Sequence, residues 1–123
     1  MKGTVQKRPL KSGGVRWAYS FFAGWIEKDG ELYLGGGRVM LLEHIEKLGS
    51  IAAAARSMNL TYNNAWLWIN AMNKLAPSPL VERMAGGAGG GHARLTEEGH
   101  KAIIQFHKLR ARLEELVSPS HPS

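Results

Sequence analysis

Apolar and polar positions along this chain change their period several times, and each change marks an element. From Tyr19 to Leu34 the run YSFFAGWIEKDGELYL is rich in aromatic and β-branched residues on both sides of Glu27-Lys28-Asp29-Gly30. An Asp-Gly pair flanked in this way predicts a β-hairpin with those four residues as its turn. Gly35-Gly36-Gly37 then breaks the chain before a helix from about Arg38 to Leu48, with Leu41, Leu42, Ile45 and Leu48 as its apolar face and Gly49 as its stop. Ser50 is placed to cap an alanine-rich helix over Ile51 to about Ser57, and Met58-Asn59-Leu60 makes a turn in which asparagine tolerates the left-handed conformation. Thr61 caps a longer helix that ends near Leu75, ahead of Pro77 and Pro79. The small side chains of the first helix let the second cross it closely, as a helix-turn-helix requires.

Beyond the two prolines, Leu80 to Met84 reads as a short strand, 85–91 as a glycine-rich loop, and His92 to Leu95 as a returning strand. Thr96 caps a last helix, with Glu97 and Glu98 in the first turn where the helix dipole favours acids. Three helices followed by a hairpin is the order of a winged helix-turn-helix. The expected fold is therefore mainly α with small β hairpins: a winged helix-turn-helix with an N-terminal hairpin and a long C-terminal helix. Ala102, Phe106, Leu109, Leu113 and Leu116 follow a 4-3-4-3 spacing on that helix; cores produce such stripes as well, but on a helix projecting from a small domain it reads rather as a dimer contact.

At 123 residues the chain is long enough for one domain with a modest core. The division expected is a basic, disordered arm over 1–16, the folded domain over 17–117, and a frayed tail over 118–123. The net charge of +6 sharpens this picture through its location. Lys2, Lys7, Arg8, Lys11 and Arg16 all lie in the first sixteen residues, with no acid among them. Such an arm suits a polyanion such as DNA, and Arg8 and Lys11 are candidate contacts. Basic residues followed by WAYSFFAGWI imitate a secretion signal, but the apolar run is only ten residues, aromatic in character, and leads into a strand. No stretch approaches the roughly 20 apolar residues of a membrane helix. Cysteine is absent, which excludes disulfides and thiol catalysis and fits a cytoplasmic protein.

On the helix over 61–75, Ala65, Ile69 and Met72 share an inward face with Tyr62 or Trp66, while Asn63, Asn64, Leu67, Asn70, Ala71 and Lys74 lie on or near the other side. Asparagine pairs bidentately with adenine in the major groove, and the first residues of such helices are those that reach bases. The DNA-contact candidates are therefore Thr61, Tyr62, Asn63, Asn64, Asn70 and Lys74, joined by Arg83 and Arg94 on the two strands of the hairpin. The bland reading of the asparagines is solvation of a helix start, and that of Trp66 and Trp68 is packing. The glycine-rich loop contains neither G-x-G-x-x-G nor G-x-x-x-x-G-K-[ST] and runs between strands, which argues against a nucleotide site. His44, His92, His100, His107 and His121 form no H-E-x-x-H, and His100 and His107, two turns apart, read as solvated surface. No enzyme, no metal and no cofactor is expected.

The run GRVMLLEHIEKLGSIAAAARSMNLTYNNAWLWINAMNKL, followed by LVERMAGGAGGGHARLTEEGHKAI, resembles the N-terminal DNA-binding domain of the molybdate-responsive ModE regulators. The resemblance covers about Gly37 to Leu116 and rests on the GSI helix entry, the TY-x-x-AW-x-x-I-x-x-MN helix, and the LVER-x-x-GG-x-GGG wing that ends in LT. It implies a winged helix-turn-helix that dimerises and binds palindromic operators of molybdate-related genes. The family's oxyanion-binding region, built of molbindin-type modules, is not expected in these residues, so molybdate or tungstate sensing does not carry over, and no cofactor is expected beyond what the resemblance alone would allow. The family usually carries a cation early in the recognition helix and a lysine in the wing, where this chain has Asn63 and Ala88, and Ala85 replaces a hydroxyl residue. Weaker DNA binding than in the family is expected unless the arm compensates. Two other functions are open to these residues: a winged-helix protein-interaction module docking through Trp66, Leu67 and Trp68, and a small oxyanion binder using the glycine-rich loop.

Overall fold

The computed structural model describes residues 15–19, 24–84 and 92–117. Strands β1 (Val15–Tyr19), β2 (Gly24–Lys28) and β3 (Glu31–Leu34) lead into helices α1 (Gly36–Leu48), α2 (Ile51–Ser57) and α3 (Tyr62–Leu75); strands β4 (Val81–Arg83) and β5 (Ala93–Leu95) and helix α4 (Glu97–Val117) follow. This is the expected winged helix-turn-helix, with one addition. The N-terminal hairpin is the inner part of a three-stranded antiparallel sheet in the order β1-β2-β3. Val15 pairs with Lys28 and Tyr19 with Gly24, so the first strand begins inside the stretch read as an arm.

The hairpin turn is tighter than the sequence indicated. Glu27 and Lys28 belong to β2, and only Asp29 and Gly30 form the turn, both with positive φ (54° and 78°). A two-residue turn with both central residues in that region matches the right-handed twist of its strands. The register shifts between Ile26 and Glu27, a bulge that departs from simple alternation and leaves Tyr33 and Leu34 both buried. Glu27 is buried as well, and the Trp25 indole N–H donates to its carboxylate at 2.9 Å. Burial, and then the charge of Glu98, push the Tyr33 hydroxyl up to about 12.

Helix α1 starts two residues earlier than its apolar periodicity implies. Gly36 and Gly37 are helical and Gly35 is the cap, without a side-chain hydrogen bond. Arg38 explains part of this: its guanidinium donates to the carbonyls of Leu32 (2.6 Å) and Tyr33 (3.3 Å), tying the first turn back to β3, and partial burial lowers its pKa. The buried face is Val39, Leu41, Leu42 and Ile45; Leu48, assigned to it from the sequence, is 44% exposed because the helix ends there at Gly49. The two central caps form as expected, with Ser50 Oγ accepting from the Ala53 N–H at 3.1 Å and Thr61 Oγ1 from the Asn64 N–H at 3.0 Å. Asn59 takes the left-handed conformation at φ 58°.

The core is continuous. Ile26 and Leu34 from the sheet, Leu41, Leu42 and Ile45 from α1, Ile51 from α2, Ile69 and Met72 from α3, Leu80 and Val81 at the wing, and Ala102 and Phe106 from α4 are all buried in it. Each large side chain hidden in this way contributes about 1.5–3 kcal/mol. The last two overturn part of the dimer assignment. Ala102 and Phe106 are 3% and 0% exposed in the monomer, Leu109 and Leu113 are half-buried, and only Leu116, 79% exposed, is fully open. The 4-3-4-3 stripe is mainly the seam along which α4 packs on its own domain. His100 and His107 are not merely solvated: they meet Glu46 and Glu43 of α1 at 2.7 and 2.8 Å. Each pair is about half exposed, so it adds roughly 0.2–1 kcal/mol.

The wing and α4 meet closely at their junction. Thr96 Oγ1 donates to the Pro79 carbonyl at 2.6 Å and accepts from the Gly99 N–H at 3.0 Å, capping α4 while holding the strand entry. A Cβ on Gly99 would overlap the carbonyl oxygen of Leu80, which is backbone and cannot rotate away. The Gly99→Ala variant is expected to lose about 1–3 kcal/mol in a urea titration, with the first turn of α4 displaced. Unchanged stability would mean that this approach is looser than described.

Candidate nucleic-acid interface

Helix α3 divides cleanly. Ala65, Ile69 and Met72 are fully buried against α1 and α2, leaving Asn63, Asn64, Leu67, Asn70 and Lys74 exposed in one row, with Ala71 half-buried beside them. Spacings of four, three and four residues from Asn63 through Leu67 and Asn70 to Lys74 keep them on one helix face. Three amides and one ammonium along an exposed helix offer hydrogen bonds with little charge. Thr61 is exposed too, but its oxygen is engaged in the cap. Asn73, not among the candidates, turns the other way: its Oδ1 accepts from the Leu80 N–H at 2.8 Å, and its amide donates to the Val81 carbonyl at 3.5 Å. That side chain fixes where the wing leaves the helix. Nothing in the sequence distinguishes it from its outward-facing neighbours except its angular position beside Ile69 and Met72.

The wing separates the two arginines that the sequence placed together. Val81 pairs with Leu95, Glu82 with Arg94 and Arg83 with Ala93. Since side chains alternate, Val81, Arg83, Ala93 and Leu95 share the face turned toward the domain, and Glu82 and Arg94 share the other. Arg94 is bound to Glu82 at 2.9 Å, so its charge is already matched in the free protein. Arg83 lies over the Trp66 ring, 5.0 Å from the centroid, a contact worth about 0.5–1 kcal/mol at an exposed site. Tyr62 stands one turn before Trp66 and meets it edge-on, with ring centroids 6.4 Å apart and planes at 81°. Hydrogen bonding from Trp66 and from Arg83 lowers the pKa of the Tyr62 hydroxyl. The outer strand β5 is joined to the helix-turn-helix as well, through the Ala93 N–H to the Gly49 carbonyl at 3.1 Å and a bridge between Ser50 and His92.

Arg8 and Lys11, and the loop positions Ala85 and Ala88, lie outside the described residues. Among the described residues no group of three or more His, Asp and Glu side chains is arranged to hold a metal ion. No helix there is long and apolar enough to cross a membrane.

Three helices, a wing and one outward helix face define the class: a winged helix-turn-helix protein. The sequence pattern of the bacterial regulatory helix-turn-helix proteins of the LysR family matches residues 38–100, and the chain belongs to that family. It is similar to the molybdenum-pterin-binding protein MopA of Rhodobacter capsulatus, 42% identical over 92 residues, which are 75% of this chain and 35% of that protein. It is similar also to the molybdenum transport protein ModE of Azotobacter vinelandii (43% over 92 residues, 75% of this chain, 34% of that protein). The DNA-binding transcriptional dual regulator ModE of Escherichia coli is 41% identical over 85 residues, 69% of this chain and 32% of that protein. The ModE resemblance read from the motifs is therefore borne out. The chain spans about a third of the length of these relatives.

Proposed function

We propose that this chain is a binding protein rather than an enzyme: a sequence-specific transcriptional regulator of the ModE type that binds double-stranded DNA as a homodimer. In this reading α3 enters the major groove and the β4–β5 wing follows the adjacent backbone. The observation that carries it is the exposed row of Asn63, Asn64, Asn70 and Lys74 on a helix whose opposite face is wholly buried. Asn63 and Asn64 read bases, and Lys74 meets a phosphate. Dimerisation uses the open part of α4, where Ile104 (58% exposed) and Leu116 lie apart from the buried seam, with Leu109 and Leu113 at the edge. The named relatives support a role in control of molybdenum-related genes. No oxyanion site is assigned to these residues.

The test is binding to labelled DNA from the protein's own upstream region beside a scrambled control, at several salt concentrations. Preference for the native fragment that falls steeply with salt is expected. The Asn63→Ala, Asn64→Ala double variant should lose about 1–3 kcal/mol of discrimination for each bidentate contact removed, with weak binding to any sequence retained. Unchanged preference would sink the base-reading assignment. One observation favours a second reading: Leu67 is 57% exposed in the middle of a helix with a single cation. A protein-docking face would show equal, weak binding to both DNAs and salt-insensitive capture of a protein partner.

A further inference from the structure

We propose that Arg83 is a positioning residue that locks the wing to the recognition helix through Trp66, and that Tyr62, at the same corner, offers its hydroxyl proton to a DNA phosphate. The proposal rests on the DNA-binding reading for its ligand, but its geometry belongs to the free protein.

Arg83 looks like an ordinary phosphate contact in the sequence. The strand register argues otherwise. It shares the inward face of the wing with Val81 and Ala93, opposite to Glu82 and Arg94. Its guanidinium covers the Trp66 indole at 5.0 Å, and Trp66 is itself half-buried against the core. A guanidinium held over an indole is attracted by the ring face, and its planar shape makes the contact one that lysine reproduces poorly. The contact ties β4 directly to α3, in addition to the Asn73 hydrogen bonds at the wing entry. Beside those bonds and the β5 contacts to Gly49 and Ser50, it joins the inner face of the wing to the recognition helix itself and so helps to set the angle between the two elements.

Tyr62 completes the cluster. It is the first helical residue of α3, 44% exposed, and it packs edge-on against the same indole. The neighbouring Trp66 and Arg83 side chains lower the pKa of its hydroxyl. The exposed hydroxyl is open to a ligand, and it is a better donor for being more acidic. The ligand must then be an acceptor, and beside a guanidinium at the rim of a DNA-binding helix that acceptor is a phosphate oxygen.

The experiment has two arms. In the free protein, tyrosine labelled with carbon-13 at Cζ reports each hydroxyl titration by NMR; the chain has three tyrosines, and Tyr33 is pushed up to about 12, away from Tyr62. The Tyr62 signal, assigned with Tyr62→Phe, should titrate at higher pH in Arg83→Ala and in Trp66→Phe than in the wild type. No movement would overturn the lock. In the DNA arm, Arg83→Ala should weaken binding about two- to fivefold, with an unchanged slope of affinity against salt, and Arg83→Lys should fail to restore it. Rescue by lysine, with a slope flattened by about one unit in Arg83→Ala, would make Arg83 a phosphate contact and overturn the assignment. Tyr62→Phe should weaken binding to all sequences alike, and its effect should be less than additive with Arg83→Ala. If the wild type binds no DNA, the phosphate role of Tyr62 falls, while the titration still decides the lock.

Discussion

Alanine at Phe106 is expected to destabilise the protein by about 3–5 kcal/mol, a large fraction of the roughly 5–15 kcal/mol that holds a domain of this kind together. Phe106 is completely buried and leads the fully buried side chains by volume. It sits midway along α4, with the Arg110 guanidinium 5.8 Å from its ring and His107 edge-on beside it. Removing the ring costs its transfer free energy and leaves a cavity between α4, α1 and the three-stranded sheet, elements too rigid to collapse into the space. Because the Thr96 cap holds the base of the wing, loosening α4 should also disorder the wing, which amide exchange at Val81 and Leu95 would report. Leu116→Ala provides the contrast: at 79% exposure it should shift stability by less than about 0.5 kcal/mol. Equal effects at the two positions would mean that α4 does not lie along the seam described. A loss at Leu116 that appears only at high protein concentration would instead locate the dimer contact.

Deleting residues 2–13 is the largest functional perturbation expected. The deletion stops short of β1 and leaves its pairing with β2 intact, while removing Lys2, Lys7, Arg8 and Lys11. Over 51–96 the only cations are Arg56, Lys74, Arg83 and Arg94; Arg94 is matched by Glu82, and Arg83 lies on Trp66. The helix-turn-helix and wing therefore have little free positive charge for phosphates, and much of the sequence-independent affinity must come from elsewhere. If all four arm cations neutralise phosphates, the log–log salt slope should fall by about 3–4 units, equivalent to roughly 100-fold in affinity between 50 and 200 mM salt. Preference between native and scrambled DNA should survive. An unchanged slope would remove the arm from the interface.

Particular residues show how far the chain could be read without coordinates. Ser50, Asn59 and Thr61 act as local chemistry dictates, because a cap or a left-handed corner involves residues within three or four positions of one another. The inward face of Ala65, Ile69 and Met72 likewise follows from helical period alone. Errors arose where the same period allows two answers. An apolar 4-3-4-3 stripe at Ala102 and Phe106 is identical whether it meets a second chain or the body of its own, and only the packing of α4 against α1 and β2 distinguishes them. Arg83 and Arg94, alike in the sequence, part because register and pleat put one over Trp66 and the other beside Glu82.

What the sequence determined by itself was the order of elements, the caps that begin them, the outward amide row of α3 and the family to which they belong, all carried by short-range chemistry and by period. The tertiary structure alone decided which side chains remain free to meet a partner. Phe106 is core, His100 and His107 are tied to α1, Gly99 is the contact point of α4 with the wing, and Arg83 is held by an indole seventeen positions earlier in the chain. Each of those outcomes depends on groups distant in sequence that are brought together only when the helices and strands pack.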